Sequence, residues 1–87
     1  MNPSEPTVRR VSVRLFAVLR EQAGRGEWEH ATAAATAAEL YAELRRDLRL
    51  ALGPELVRVA VNGAYADPAH PLAAGDRVVF IPPVTGG

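Results

Sequence analysis

The sequence predicts an α+β domain, a mixed sheet of about five strands with one main helix packed across it. Three observations carry this. Short runs with apolar residues at every second position recur in both halves of the chain. One central stretch instead repeats its leucines at helical spacing. Gly, Pro and Asn-Gly signals punctuate the runs at the right intervals for turns. At 87 residues there is room for one hydrophobic core and no second domain.

Taken in order, residues 1–7 carry two prolines and no periodicity, and are expected to be a flexible N-terminal arm. Val8 to Phe16 alternates, with Val11, Val13 and Leu15 on one side and Ser12, Arg14 and Phe16 on the other. This predicts a strand with one buried face, and it puts Phe16 on the wrong side for the core. Ala17 to Ala23 reads as a short helical turn stopped by Gly24. Glu27 to Ala31 alternates weakly and predicts a second strand in a hairpin with the first, Trp28 and His30 sharing a face.

The main helix is predicted over Ala37 to Leu52. Thr36 followed three residues later by Glu39 is a capping box. Leu40, Leu44 and Leu48 recur at i, i+4 and i+8, with Tyr41 and Leu52 widening the stripe and Gly53-Pro54 as the stop. Glu43, Arg45, Arg46, Asp47 and Arg49 fall mainly on the other side and read as a solvated face. Val57 to Val61 alternates again, and Asn62-Gly63 is the favoured pair for a two-residue hairpin turn into a short strand at Ala64 to Ala66. Asp67 to Ala74 is a surface loop. Arg77 to Ile81, β-branched and aromatic, is the last strand, stopped by Pro82-Pro83. If the last strand lies parallel to the first, with the helix in the crossover, the arrangement is a β-grasp, or ubiquitin-like, fold spanning residues 8–83, and residues 84–87 are a flexible tail.

Composition excludes several kinds of chemistry. There is no cysteine, so no disulfide framework, thiolate metal site or cysteine nucleophile can form. His30 and His70 are isolated, and no metal site is expected. The formal net charge of zero lacks the basic excess usual in nucleic-acid binders. No apolar run reaches membrane-spanning length or makes a signal peptide, so a cytoplasmic protein is expected. The acidic residues are scattered with no acid–base pair in sight. All ten basic residues are arginine, which leaves no side-chain ammonium to accept an isopeptide bond. The sixteen alanines suggest genomic bias as the cause.

Chemistry therefore points to the tail. Pro82-Pro83 fixes an extended exit from the last strand, and Gly86-Gly87 presents a carboxylate on a stem without side chains. Such a stem can thread a narrow channel. Activated as an acyl-adenylate, the Gly87 carboxylate could exchange oxygen for sulfur and become a thiocarboxylate.

From about Val11 to Gly87 the chain resembles the MoaD/ThiS sulfur-carrier family, and within it most closely the small subunits of molybdopterin synthase. The most specific piece is FIPPVTGG, Phe80 to Gly87. LFAVLREQAG (Leu15 to Gly24), VNG (Val61 to Gly63), HPL (His70 to Leu72) and Gly75-Asp76 also fit. The resemblance implies that a MoeB-like E1 enzyme adenylates Gly87, using ATP, and that a sulfurtransferase system makes the thiocarboxylate. It implies that Pro82, Pro83, Val84, Thr85 and Gly86 thread into a MoaE-like large subunit in a heterotetramer, delivering sulfur to cyclic pyranopterin monophosphate. It also implies that Phe16, Tyr65 and Ile81 are apolar contacts with the partners. No bound cofactor, metal or catalytic side chain is expected of the chain itself. A bulge that returns Phe16 or Ile81 to the core is the alternative to that interface. Sulfur carriage for thiamine or cysteine synthesis, or a β-grasp interaction module or protein modifier, are the alternatives to that function.

Overall fold

The structure, a computed structural model, describes residues 7–84. Five strands form one sheet: β1 (Arg9–Leu15), β2 (Glu27–Thr32), β3 (Arg58–Val61), β4 (Ala64–Ala66) and β5 (Arg77–Ile81). Their order is β2-β1-β5-β3-β4. β1 and β5 run parallel at the centre and every other pair is antiparallel. Two α-helices, α1 (Ala17–Ala23) and α2 (Ala37–Leu48), and a 3₁₀ turn at Pro54–Leu56 complete the elements among the described residues. The expected β-grasp topology is present.

The alternation sorts the sheet into two faces. Val11, Val13 and Leu15 of β1, Val59 and Val61 of β3, and Val78 and Phe80 of β5 are buried. They meet Ala37, Leu40, Tyr41 and Leu44 of α2 and Leu19 of α1 in a single core. Tyr41 lies against Phe80 with ring centroids 5.2 Å apart and donates its hydroxyl to the Leu52 carbonyl at 2.7 Å. Burial raises the pKa of that phenol above its ordinary value. On the other face, register sets Glu27, Arg14, Val79, Ala60 and Tyr65 side by side across all five strands.

The helix start is as expected. Thr36 Oγ1 accepts the Glu39 amide at 3.2 Å. The Glu39 carboxylate accepts the Thr36 hydroxyl itself, where the capping-box pattern would send it to the Thr36 amide. The helix end differs from expectation. α2 stops at Leu48, because Arg49 turns left-handed (φ 56) and its amide closes on the Arg45 carbonyl. This reversal drives Leu50 into the core, 3% exposed, and leaves Leu48 and Leu52 only half-buried. The cap is an arginine, a residue that carries no stop signal, while Gly53-Pro54 opens the 3₁₀ turn. Strand ends shift by one residue: Val8, Phe16 and Val57 lie outside their strands, and β2 gains Thr32. Asn62 (φ 52) and Gly63 (φ 90) make the left-handed pair that joins β3 to β4.

Candidate functional site

The candidate site is the end of the sheet where β5 leaves the domain. Val78 and Phe80 point into the core, so Val79 and Ile81 must face the other way, and both are half-buried. Pro82 is buried and Pro83 exposed. Both line a hollow with Ala17 and Val18 of α1 and with Leu52. The first proline therefore anchors the exit as well as stiffening it. Val84 is 96% exposed, so the chain is free of the domain surface by that point. The remaining tail residues assigned from sequence, Thr85, Gly86 and Gly87, lie outside the described residues.

Phe16 stands beside this exit. It follows Leu15, which pairs with Phe80, so Phe16 is one register step on, next to Ile81. The backbone turns left-handed at Ala17 (φ 51), costing about 1–2 kcal/mol for a residue with a Cβ. The turn sends the chain away into α1 and leaves the Phe16 ring outside the core, 38% exposed. No bulge returns Phe16 or Ile81 inward. Tyr65, on edge strand β4, is 70% exposed. The three residues expected as an interface thus share the open face of the sheet with Val79 and Ala60.

Two guanidinium groups frame this apolar area. Arg14 lies over the Phe16 ring at 4.8 Å from its centroid, and Arg58 over Tyr65 at 5.8 Å. Such stacking holds a guanidinium in place while leaving its N–H edge free. Sequence reasoning placed Arg14 beside Phe16 on the outward side but gave it no role, and it passed over Arg58. Alternation sets Arg14 two residues from Phe16 on one side of β1, whereas the contact of Arg58 with Tyr65 depends on the cross-strand register of β3 and β4.

The structure also corrects the reading of His30 as isolated. Packing of α2 on the sheet brings Glu43 Oε2 to 2.5 Å from His30 Nε2. Trp28 Nε1 donates to His30 Nδ1 at 3.3 Å, so the neutral ring carries its hydrogen on Nε2 and donates to Glu43. The other Glu43 oxygen accepts the buried Thr32 hydroxyl at 2.8 Å, and Thr32 Oγ1 accepts the Ala34 amide at 3.0 Å. Through Glu43 this network ties α2 to His30 and Thr32 of β2, on the core side of the sheet. It is a clasp rather than an acid–base pair. His70 contributes its carbonyl to the Ala37 amide at the start of α2.

The apolar cleft between α2 and β3, about 210 Å³ and lined by Ala37, Tyr41, Val57, Val59 and Phe80 with Glu55 beside them, has its buried Tyr41 hydroxyl committed to the Leu52 carbonyl and brings no second titratable partner to Glu55. Among the described residues no three His, Asp or Glu side chains gather as metal ligands, and no helix is long and apolar enough to cross a membrane. What this arrangement can do is offer an apolar sheet face to another protein, with the chain leaving the domain beside it at Pro82 to Val84.

Comparisons with known proteins agree with this geometry. The family model described as ThiS family matches residues 13–87, which includes the tail. No curated protein matches by sequence. Among solved structures, SAMP1 from Haloferax volcanii is similar at 27% identity, over 90% of this chain and 99% of that one, with a TM-score of 0.72. A Pyrococcus furiosus protein assigned as subunit 1 of molybdopterin converting factor is similar at 30% identity, over 87% and 99%, with a TM-score of 0.70. A complex of subunits 1 and 2 of molybdopterin-converting factor from Helicobacter pylori 26695 contains a chain similar at 29% identity, over 90% and 99%, with a TM-score of 0.61.

Proposed function

The chain belongs to the ThiS family, and we propose that within it this protein is the sulfur-donor small subunit of a molybdopterin synthase, acting in the cytoplasm. The observation that carries the reading is the placement of Phe16, Ile81 and Tyr65 on one open face beside an exit anchored by Pro82. The Helicobacter pylori complex of subunits 1 and 2 supports a large-subunit partner.

The chemistry runs through the chain terminus. An oxygen of the Gly87 carboxylate attacks the α-phosphate of ATP on an E1-like enzyme, and pyrophosphate leaves. A donor persulfide displaces AMP from the acyl carbon to give an acyl disulfide, and a thiol then attacks the carrier-side sulfur, forming a carrier disulfide and releasing the thiocarboxylate. The open face then docks on a MoaE-like large subunit, in a heterotetramer, and Val84 to Gly87 carry the sulfur to cyclic pyranopterin monophosphate. The chain supplies a reacting terminus and a docking surface, binds no cofactor, and leaves the catalytic side chains to its partners. With no cysteine and no lysine, it holds no side-chain thiol or ammonium to intercept its own activated end.

Deletion of Gly87 tests this. The reacting carbon retreats by one residue length, about 3.5 Å, enough to abolish transfer. Cofactor synthesis in the deletion strain at the wild-type level would refute it. In the intact chain, a thiol-directed alkylation after treatment with the E1-like enzyme, ATP and a sulfur donor should map to Gly87 alone. A second reading, attachment to other proteins as a modifier, is favoured by the likeness to Haloferax volcanii SAMP1. It predicts lysine-linked conjugates in the native host that vanish with the same deletion while cofactor synthesis continues.

A further inference from the structure

The open face is apolar at its centre but not neutral around it. Its register is fixed. Arg14 of β1 pairs with Val79 of β5, Val79 with Ala60 of β3, and Ala60 with Tyr65 of β4. Arg77 pairs with Ser12 one step along, and Arg58 pairs with Ile81 at the exit. Three arginines therefore border the apolar area. The acidic residues of this face, Glu27 and Glu29, both sit on β2 at the far edge from Tyr65. Among the described residues the ion pairs are His30–Glu43 and Arg46–Asp47, and neither uses these arginines.

We infer that the docking partner presents carboxylates around an apolar centre, and that one of them seats in the hollow between Arg14 and Arg77. This inference rests on the docking role proposed above and adds the chemistry of the partner. The hollow measures about 210 Å³ and is bordered by Ser12, Arg14, Glu27, Gly63, Arg77 and Val79. That is room for an acidic side chain over a valine. Glu27 closes it on the β2 side and repels an incoming carboxylate toward the Arg77 and Gly63 side, which fixes its lateral position. Arg58, held over Tyr65, provides a second cationic point nearer the exit. A guanidinium stacked on a ring keeps its fork of N–H donors outward, the geometry that grips a carboxylate in bidentate fashion. A polyanion such as nucleic acid fits less well. It would leave Val79, Ala60 and Ile81 uncovered, and the chain has no overall positive charge to draw it in.

The test measures association and dissociation rates with the recombinant large subunit and, separately, the E1-like enzyme of the same host, at ionic strengths from 0.05 to about 0.5 M, where screening changes most. The variants are Arg14→Gln with Arg77→Gln, and Tyr65→Ala. The arginine pair should lower the association rate about 10-fold at low salt and flatten its salt dependence, leaving dissociation within about three-fold. Tyr65→Ala should act mainly on dissociation. A thermal melt of each variant confirms folding, since both arginine side chains are on the solvent face. An unchanged association rate and salt slope in the arginine pair, with wild-type binding intact, would overturn this inference alone. Failure of the wild-type chain to bind either protein would overturn the docking role and this inference together. Tight binding of a single-stranded RNA oligonucleotide, lost in the arginine pair, would replace the acidic protein partner with a nucleic acid.

Discussion

Replacing Tyr65 with alanine separates an interface residue from a core residue. Burying an aromatic side chain removes about 150–250 Å² from water. Tyr65 is still 70% exposed in the free chain, so docking could cover roughly 100–175 Å² more. At about 25 cal/mol per Å² this is ~2.5–4 kcal/mol, and the wet hydroxyl end lowers it to about 2–3 kcal/mol. The dissociation constant for the large subunit should therefore rise about 30- to 150-fold. Folding should barely notice. Tyr65 sits on the three-residue edge strand β4, and its loss removes strand propensity and the Arg58 stacking contact, together about 1 kcal/mol. That is a melting shift of about 4–8 °C at most for a domain this size. Phe80→Ala is the contrast: a ring 1% exposed should cost about 3–5 kcal/mol of stability. Isothermal titration and thermal melts of both variants decide the matter. A Tyr65→Ala chain that binds within three-fold of wild type, or melts as early as Phe80→Ala, would refute the assignment.

Two further outcomes follow from the polar contacts. The Ala73 amide and the Asn62 side chain both donate to the Asp76 carboxylate and hold its pKa below the usual carboxylate range. A depressed folded value means this stabilisation is complete above the unfolded pKa, near 4, and is lost as pH falls through the folded value. Asp76→Ala removes two solvent-exposed hydrogen bonds and, after screening, should cost at most about 1 kcal/mol at neutral pH, and urea melts should show the difference from wild type shrinking in strong acid. Glu43→Ala strips the acceptor from both Thr32 and His30, so it should cost about 1–3 kcal/mol. Amide exchange should then quicken in β2 and α2 more than in β3 and β4.

Much of this fold was legible because alternation is a local property. Period two in Val11 to Leu15 and in Arg77 to Ile81 already decides which side chains face the helix, and so which side Phe16 and Ile81 must take. The Thr36–Glu39 start and the Asn62-Gly63 turn are equally local, each needing only a few neighbouring residues. The end of α2 was not legible. Arg49 adopts its left-handed cap because the reversal buries Leu50, and that gain exists only when the sheet is there to receive it. The His30–Glu43 clasp joins residues thirteen apart through the packing of α2 on β2. The burial of Pro82 depends on α1 and Leu52 standing beside it.

The same division runs through function. The residues by themselves determined that the chain has no thiol, no lysine and a double-proline exit before Thr85, Gly86 and Gly87, the features on which the proposed role of the tail rests. Alternation puts Arg14, Arg58 and Arg77 on the side away from the core, but only the tertiary structure decided that they stand around the same apolar area. Charges from β1, β3 and β5 become neighbours when strands far apart in sequence are set side by side by hydrogen-bond register, and no local pattern encodes that.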